Sequence, residues 1–234
     1  MVGLLRSGEI DGFCVTAPWN ALAVSEGIGE ILVYASELWR AGPDKVFGVT
    51  RAWGDENPEA LRALVRALLK GAAWADAPDN RAALADILAR PHYVDAPAAV
   101  VAQSLLGSPD YSAASPGSPS RDYLIYHRYA ASFPWRSHAL WFLSQMLRWG
   151  QIGPEIDLAA VAQAVYRPDL FRQAAADLGE PAPSIDAKVE GAHAEDWTQD
   201  GIPMAPDLFM DGRVFDPAKA SDYAANFAIK RLPG

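Results

Sequence analysis

Gly12-Phe13-Cys14-Val15-Thr16, followed at once by Ala17-Pro18-Trp19-Asn20, is the stretch on which the fold turns. Its apolar and β-branched residues, closed by a proline, predict a buried strand leaving its sheet. The pattern then becomes helical from Asn20 to Glu26, and Gly27 and Gly29 punctuate the end. Upstream, residues 1–9 read as the tail of an amphipathic helix that breaks at Gly8 and Gly12. Downstream, Ile31-Leu32-Val33-Tyr34 predicts a second strand. Lys45-Val46-Phe47-Gly48-Val49-Thr50 predicts a third, after the turn signal Gly42-Pro43-Asp44. Short buried strands interleaved with helices indicate an α/β protein.

Beyond residue 57 the chain turns helical. Asn57-Pro58-Glu59 is a start signal, with a cap residue, a proline at the first helical position and an acid in the first turn. Leu61, Leu64, Val65, Leu68 and Leu69 then recur at helical spacing to about Trp74, with Arg62, Arg66 and Lys70 on the opposite face. Asp79 is read as the cap of the next helix, and further helices are predicted over 98–106, 137–149, 168–178 and 218–229. Residues 107–120, rich in Gly, Pro and Ser, read as a loop excursion. Residues 181–212 read as an irregular extended arm. Three strands gathered at the start cannot make a doubly wound sheet, whose strands are spread along the chain. An α/β chain of this kind looks like the second part of something longer.

Composition narrows the function. Half of the 234 residues are hydrophobic and 21% are charged, as in a globular domain, which excludes disorder and low-complexity classes. No apolar run approaches the roughly 18 residues of a membrane-spanning helix. The net charge of −9 repels nucleic acid phosphates and anionic lipid, so no nucleic acid partner is expected. A small anion remains compatible, because one local positive group is enough to hold it. The single cysteine, Cys14, has no partner for an internal disulfide, and its apolar surroundings predict a buried, inert thiol. Four histidines and that cysteine show no metal-ligand spacing, so neither a metal site nor a cofactor is predicted. Met1-Val2-Gly3-Leu4-Leu5-Arg6 is too short an apolar run for a signal peptide. Either the chain is cytoplasmic or its true N-terminus lies upstream.

Catalytic patterns are missing as well. There is no nucleophile elbow, P-loop or dinucleotide fingerprint. Ser137 and His138 are sequence neighbours, which on a helix point to different sides, and His92, His127 and His193 stand isolated. No catalytic residue and no enzyme activity are predicted. The eight tryptophans are the more informative residues. Trp141 and Trp149 read as packing, whereas Trp19 lies just past a strand end, where α/β proteins place their ligands. Lys45, at a strand start beside Asp44, has two possible roles: a solvated cation or an anion-coordinating one.

Several segments together resemble a known family. They are residues 4–15, Ala17-Pro18-Trp19-Asn20, Gly27-Ile28-Gly29, Glu37-Leu38-Trp39, Pro43-Asp44-Lys45, Phe133-Pro134-Trp135-Arg136-Ser137-His138, Gln145 to Gly150 and Val165-Tyr166-Arg167-Pro168-Asp169-Leu170. In this order they resemble the nitrate- and bicarbonate-binding solute receptors of ABC transporters, themselves related to thiamine-precursor- and alkanesulfonate-binding proteins. The resemblance implies a periplasmic-binding-protein-like α/β fold, two lobes around a ligand cleft. It makes residues 1–234 the incomplete, C-terminal portion of one two-lobe solute-binding domain. The family's turn of Gly-Glu-Pro-Trp is Thr16-Ala17-Pro18-Trp19 here, and its anion-coordinating lysine matches Lys45. The expected ligand-binding residues are therefore Thr16, Ala17, Trp19 and Lys45. A cation at 45 favours nitrate or nitrite over a bicarbonate-with-cation arrangement. The implied function is capture of a small inorganic anion for an ABC importer, with the membrane permease as partner and a periplasmic or membrane-associated location. The alternative is a cytoplasmic nitrate or nitrite sensor of the same fold that holds a signalling partner.

Overall fold

A computed structural model describes residues 1–106 and 123–227 of the protein. The excursion read over 107–120 and the end of the last expected helix lie outside these residues. The helices of the first half are α1 (Val2–Ser7), α2 (Trp19–Ser25), α3 (Ala35–Leu38), α4 (Arg51–Glu56), α5 (Pro58–Asp76), α6 (Arg81–Leu88) and α7 (Ala98–Leu106). The second half holds α8 (Arg136–Arg148), α9 (Leu158–Val165), α10 (Pro168–Leu178), the strands β1 (Trp197–Gln199) and β2 (Ile202–Met204), and α11 (Ala220–Ala225). The chain divides into two compact units, Met1–Leu38 with Ala73–Tyr126, and Trp39–Ala72 with His127–Gly234. No helix among the described residues is long and apolar enough to cross a membrane.

Local chemistry sets most helix starts. The Thr50 hydroxyl accepts the Trp53 N–H and the Asp157 carboxylate accepts the Ala160 N–H, capping α4 and α9. Pro168 opens α10 at the position where a missing N–H costs nothing. Asp79 is not a cap. It sits in a 3₁₀ turn, Pro78–Asn80, and α6 opens two residues later.

In the first unit α6 and α7 pack as a hairpin around Ala85, Ala96, Val101 and Leu105, with Trp19, Leu84, Leu88 and Leu124 closing the cluster. Arg81 and Asp76 form a nearly buried ion pair of 3.4 Å there, and the same guanidinium donates to the carbonyls of Leu105 and Leu124. In the second unit the α5 residues Val65 and Leu69 pack against Phe171, Ala174, Ala175 and Leu178 of α10. Arg62 and Arg66 of α5 both grip Asp177, the latter at 2.7 Å. A larger core gathers Trp39, Leu158, Phe209, Phe215 and Ala220, and α8 lies against it through Leu140, Trp141 and Leu143.

The three expected strands do not form. Residues 12–16 and 45–50 form no ladder, and within 31–34 only Ile31 makes a bridge. The physical reason is pairing. A strand needs a neighbour to satisfy its N–H and C=O groups, and no partner strand faces these runs among the described residues. Cys14 is accordingly exposed rather than buried. The ladder that does form lies in the segment read as irregular: β1 and β2 pair antiparallel, with Trp197 opposite Met204 and Gln199 opposite Ile202. Their turn is Asp200-Gly201, with φ of 53° and 77°. That is a two-residue hairpin turn needing positive φ at both positions, and Asp-Gly is a strong sequence signal for it.

Candidate functional site

Of the four residues expected to hold the ligand, three fall in the first unit. Thr16 is exposed and Ala17 half-buried, and both lie in the turn that Pro18 closes at the mouth of α2. The Pro18 carbonyl accepts the Leu22 N–H at 2.9 Å, the first bond of that helix. Trp19 is half-buried, and its indole packs against the α6–α7 cluster, so this ring anchors the turn. Lys45 belongs to the second unit and lies in the run before α4, which has no regular secondary structure. Its side chain is 67% exposed and its ammonium lies 3.0 Å from Asp44. An exposed neighbour pair of this kind contributes little to stability, which leaves the ammonium available to a stronger acceptor.

Sequence reasoning missed a second constellation, buried in the second unit on the arm and on α8. Ser137 and Glu190 are fully buried, and the Ser137 hydroxyl donates to Glu190 Oε1 at 2.6 Å. His138 Nε2 lies 3.4 Å from the same oxygen, so the two α8 neighbours converge on one carboxylate. Lys188 Nζ donates to Glu190 Oε2 and reaches Asp207 at 3.3 Å. Asp207, itself buried, accepts the His193 backbone N–H at 2.8 Å and lies 3.1 Å from His193 Nδ1. The His193 ring stacks on Trp197 at 3.8 Å, and the Trp197 indole N–H donates to the Ala205 carbonyl. His193 is thus not isolated. The chain runs Ser137, Glu190, Lys188, Asp207, His193, with every buried charge matched by a partner, as burial demands.

Burial sets the protonation states. The His138 imidazole is pushed down to about 3, first by desolvation and then by the Lys188 charge, so it is neutral at physiological pH. Desolvation pushes the Glu190 carboxyl up, while Lys188 and the Ser137 hydroxyl hold it toward the ionised form. Nearby, Asp186 bridges Arg136 at 2.5 Å and Arg172 at 2.7 Å. Among the described residues no three of His, Cys, Asp and Glu cluster as metal ligands. The network holds its charges in place: the Ser137 hydroxyl is engaged by Glu190, and Lys188 is shared by Glu190 and Asp207.

Comparison with known proteins defines the class. Residues 1–89 match the model of the NMT1-like family. Over 99% of its length the chain is 30% identical to the nitrate/nitrite binding protein NrtA of Nostoc sp. strain PCC 7120, of which it covers 50%. It is 28% identical to the bicarbonate-binding protein CmpA of Synechococcus elongatus, matching 97% of this chain and 49% of that protein. It is also 32% identical to the nitrate import ATP-binding protein NrtC of Synechocystis sp. strain PCC 6803, over 99% of this chain and 32% of that one. The fold matches the crystal structure of the periplasmic nitrate-binding protein NrtA from Synechocystis PCC 6803 with a TM-score of 0.85. That match has 28% sequence identity and covers 98% of this chain and 56% of the other. The fold is therefore of the periplasmic-binding-protein type, present in part. By sequence the chain is a relative of the nitrate/nitrite- and bicarbonate-binding solute receptors, as its motifs indicate. It spans about half the length of the curated binding proteins it matches.

Proposed function

We propose that the protein binds a small oxyanion, nitrate or nitrite, as the substrate-binding component of an ABC importer, and that it catalyses no reaction. The observation that carries this reading is the likeness to nitrate/nitrite-binding relatives along 99% of the chain. The similarity to a nitrate import ATP-binding protein supports an importer as the setting. In this reading residues 1–234 form the C-terminal portion of a two-lobe solute-binding domain, periplasmic or membrane-associated, and the permease is the protein partner. None of the relatives named above is described as a sensor, and that alternative is not carried forward.

Lys45 is the residue to which we assign the anion's charge; Thr16, Ala17 and Trp19, in the other unit, are separate candidates for neutral contacts. Nitrate spreads one charge over three oxygens, and leaving water is favourable only where fixed donors replace its hydration. A charge-assisted hydrogen bond is worth roughly 1.5–3 kcal/mol, so Lys45→Ala weakens nitrate binding about 10- to 150-fold. Lys45→Arg retains only part of the affinity, because a guanidinium fork is wider than an ammonium. Titration calorimetry of the wild type and both variants with nitrate, nitrite and bicarbonate is the test. No heat with nitrate in the wild type overturns the function. Equal nitrate affinity in wild type and Lys45→Ala removes Lys45 from the site and, with it, the preference for nitrate over bicarbonate.

A further inference from the structure

The outward face of α5 is apolar. One side of this helix packs on α10 through Val65 and Leu69, and its cations Arg62 and Arg66 pair there with Asp177. On the other side stand Ala60, Ala63, Leu64, Ala67, Leu68 and Gly71, recurring at spacings of three and four, and all of them are exposed. Leu64 is 42% and Leu68 48% exposed, and a Cβ added at Gly71 would meet nothing within 4 Å. A helix that is apolar on both sides has the pattern of a buried helix, yet here one side is uncovered. The whole face lies in the second unit, which holds α5 up to Ala72.

Two charges border this face. Glu59 and Lys70 are about three helical turns apart, so they share one edge of the face, roughly 16 Å from each other. Glu59 feels the charge of Arg62 without forming an ion pair, and Lys70 meets no carboxylate among the described residues. An acid near the start and a base near the end of one edge complement the same edge run in reverse. Laid antiparallel on a second copy, with the two-fold axis level with Leu64 and Val65, each Glu59 falls opposite the second copy's Lys70. A parallel arrangement sets Glu59 against Glu59 and is disfavoured. The same axis brings Leu68 level with the second copy's Ala60, and Ala63 close to its Ala67. Large side chains meet small ones, and the alanines let the axes approach toward the lower end of the usual 8–10 Å separation.

We propose that this face of α5 is a self-association surface: two copies of the chain pair antiparallel through Ala60 to Gly71, flanked by reciprocal Glu59–Lys70 pairs. The pairing does not depend on nitrate binding. One helix pair buries less than the roughly 1,200 Å² of a standard stable interface, so the dimer is weak and reversible. The net charge of −9 does not bar it, because physiological salt screens exposed charges beyond about 8 Å.

Sedimentation equilibrium of the full chain over a concentration series is the test. The wild type shows a monomer–dimer equilibrium. Glu59→Lys and Lys70→Glu each turn two attractive pairs into repulsive ones and weaken the dimer about tenfold, and the double variant regains the wild-type constant. Ala67→Glu, which places two carboxylates close to the axis, removes the dimer. All three positions are exposed, so each variant keeps the melting temperature of the wild-type monomer, which checks that it folds. The run Lys45–Val49 is the same in every variant and cancels in the comparison. A chain that stays monomeric up to millimolar concentration overturns the pairing. So does a dimer that the single charge reversals leave unchanged, or one that the double reversal fails to restore.

Discussion

The run Lys45–Thr50 and the hairpin Trp197–Met204 invert each other. The first has strand composition and forms no strand; Val46 and Phe47 stand 70% and 50% exposed. The second sits in a segment of Pro, Gly and Asp with little periodicity, and it holds the ladder. Strand composition describes a side-chain surface that wants covering, whereas a ladder requires a partner. The hairpin carries its partner three residues away, across Asp200-Gly201, and needs nothing else. The 45–50 run finds no partner among the described residues. The surrounding arm shows the same principle in its charges, since Glu190 and Asp207 both depend on the one Lys188 ammonium that pairs with them.

The sharpest way to break this comparison is to remove the central charge of the arm. Lys188→Met leaves two carboxylates buried side by side and unpaired, which costs about 3–5 kcal/mol. Chemical denaturation of the wild type and variant measures it. A loss below 1 kcal/mol means the arm is held by packing and the charge network is incidental. Gly191 comes next. Its φ of 79° is left-handed, and a Cβ there meets the Phe209 ring at 2.4 Å and the Arg213 carbonyl at 2.6 Å. Gly191→Ala costs roughly 2–4 kcal/mol, strain and overpacking together. A melting temperature equal to that of the wild type contradicts this placement of the arm.

A smaller effect follows from His138. Its folded-state value of about 3 lies below the ordinary 6.5, so the unfolded chain binds the proton first. The stability is present above pH 6.5 and is lost as pH falls toward 3, about 2 kcal/mol of it by pH 5. Glu190, pushed up by burial, works in the opposite direction, so the test is the difference between the wild type and His138→Gln in melts at pH 7 and pH 5. An unchanged difference at the two pH values places the imidazole in contact with water.

Helices were the legible part of the fold, because their signals are local. The start at Pro58, the stripe of α5, the limits of α10 and the span of α7 follow from residues within one or two turns. The strands failed because the partner is not a local property. The hairpin was legible in principle through Asp200-Gly201 and was hidden by the prolines around it. The site divides in the same way. The expectation for Lys45 and the Thr16–Trp19 turn came from family motifs and remains a proposal, while the contacts among Ser137, Lys188, Glu190 and Asp207 were not anticipated. Those four meet across about fifty to seventy residues of sequence, and no spacing rule links a serine on a helix to a carboxylate on an extended arm.

The mildest perturbation belongs to the strand-like run itself. No backbone N–H from Lys45 to Val49 donates to a backbone carbonyl among the described residues, and Val46, Phe47 and Val49 are all exposed. An apolar segment with unpaired backbone N–H groups is a template for another chain, so the protein on its own is expected to associate as its concentration rises. Phe47→Ser removes the largest apolar side chain of the run and leaves the folded core untouched. Stability changes by less than about 0.5 kcal/mol, as for surface positions generally, while light scattering shows the association shifted to higher concentration. Nitrate titration of the same variant separates this face from Lys45 two residues away, whose charge the substitution leaves in place. If association is unaltered while the melting temperature falls by several degrees, Phe47 is packed against a partner rather than exposed. The contrast between an unpaired run and a self-paired hairpin then fails at its first member.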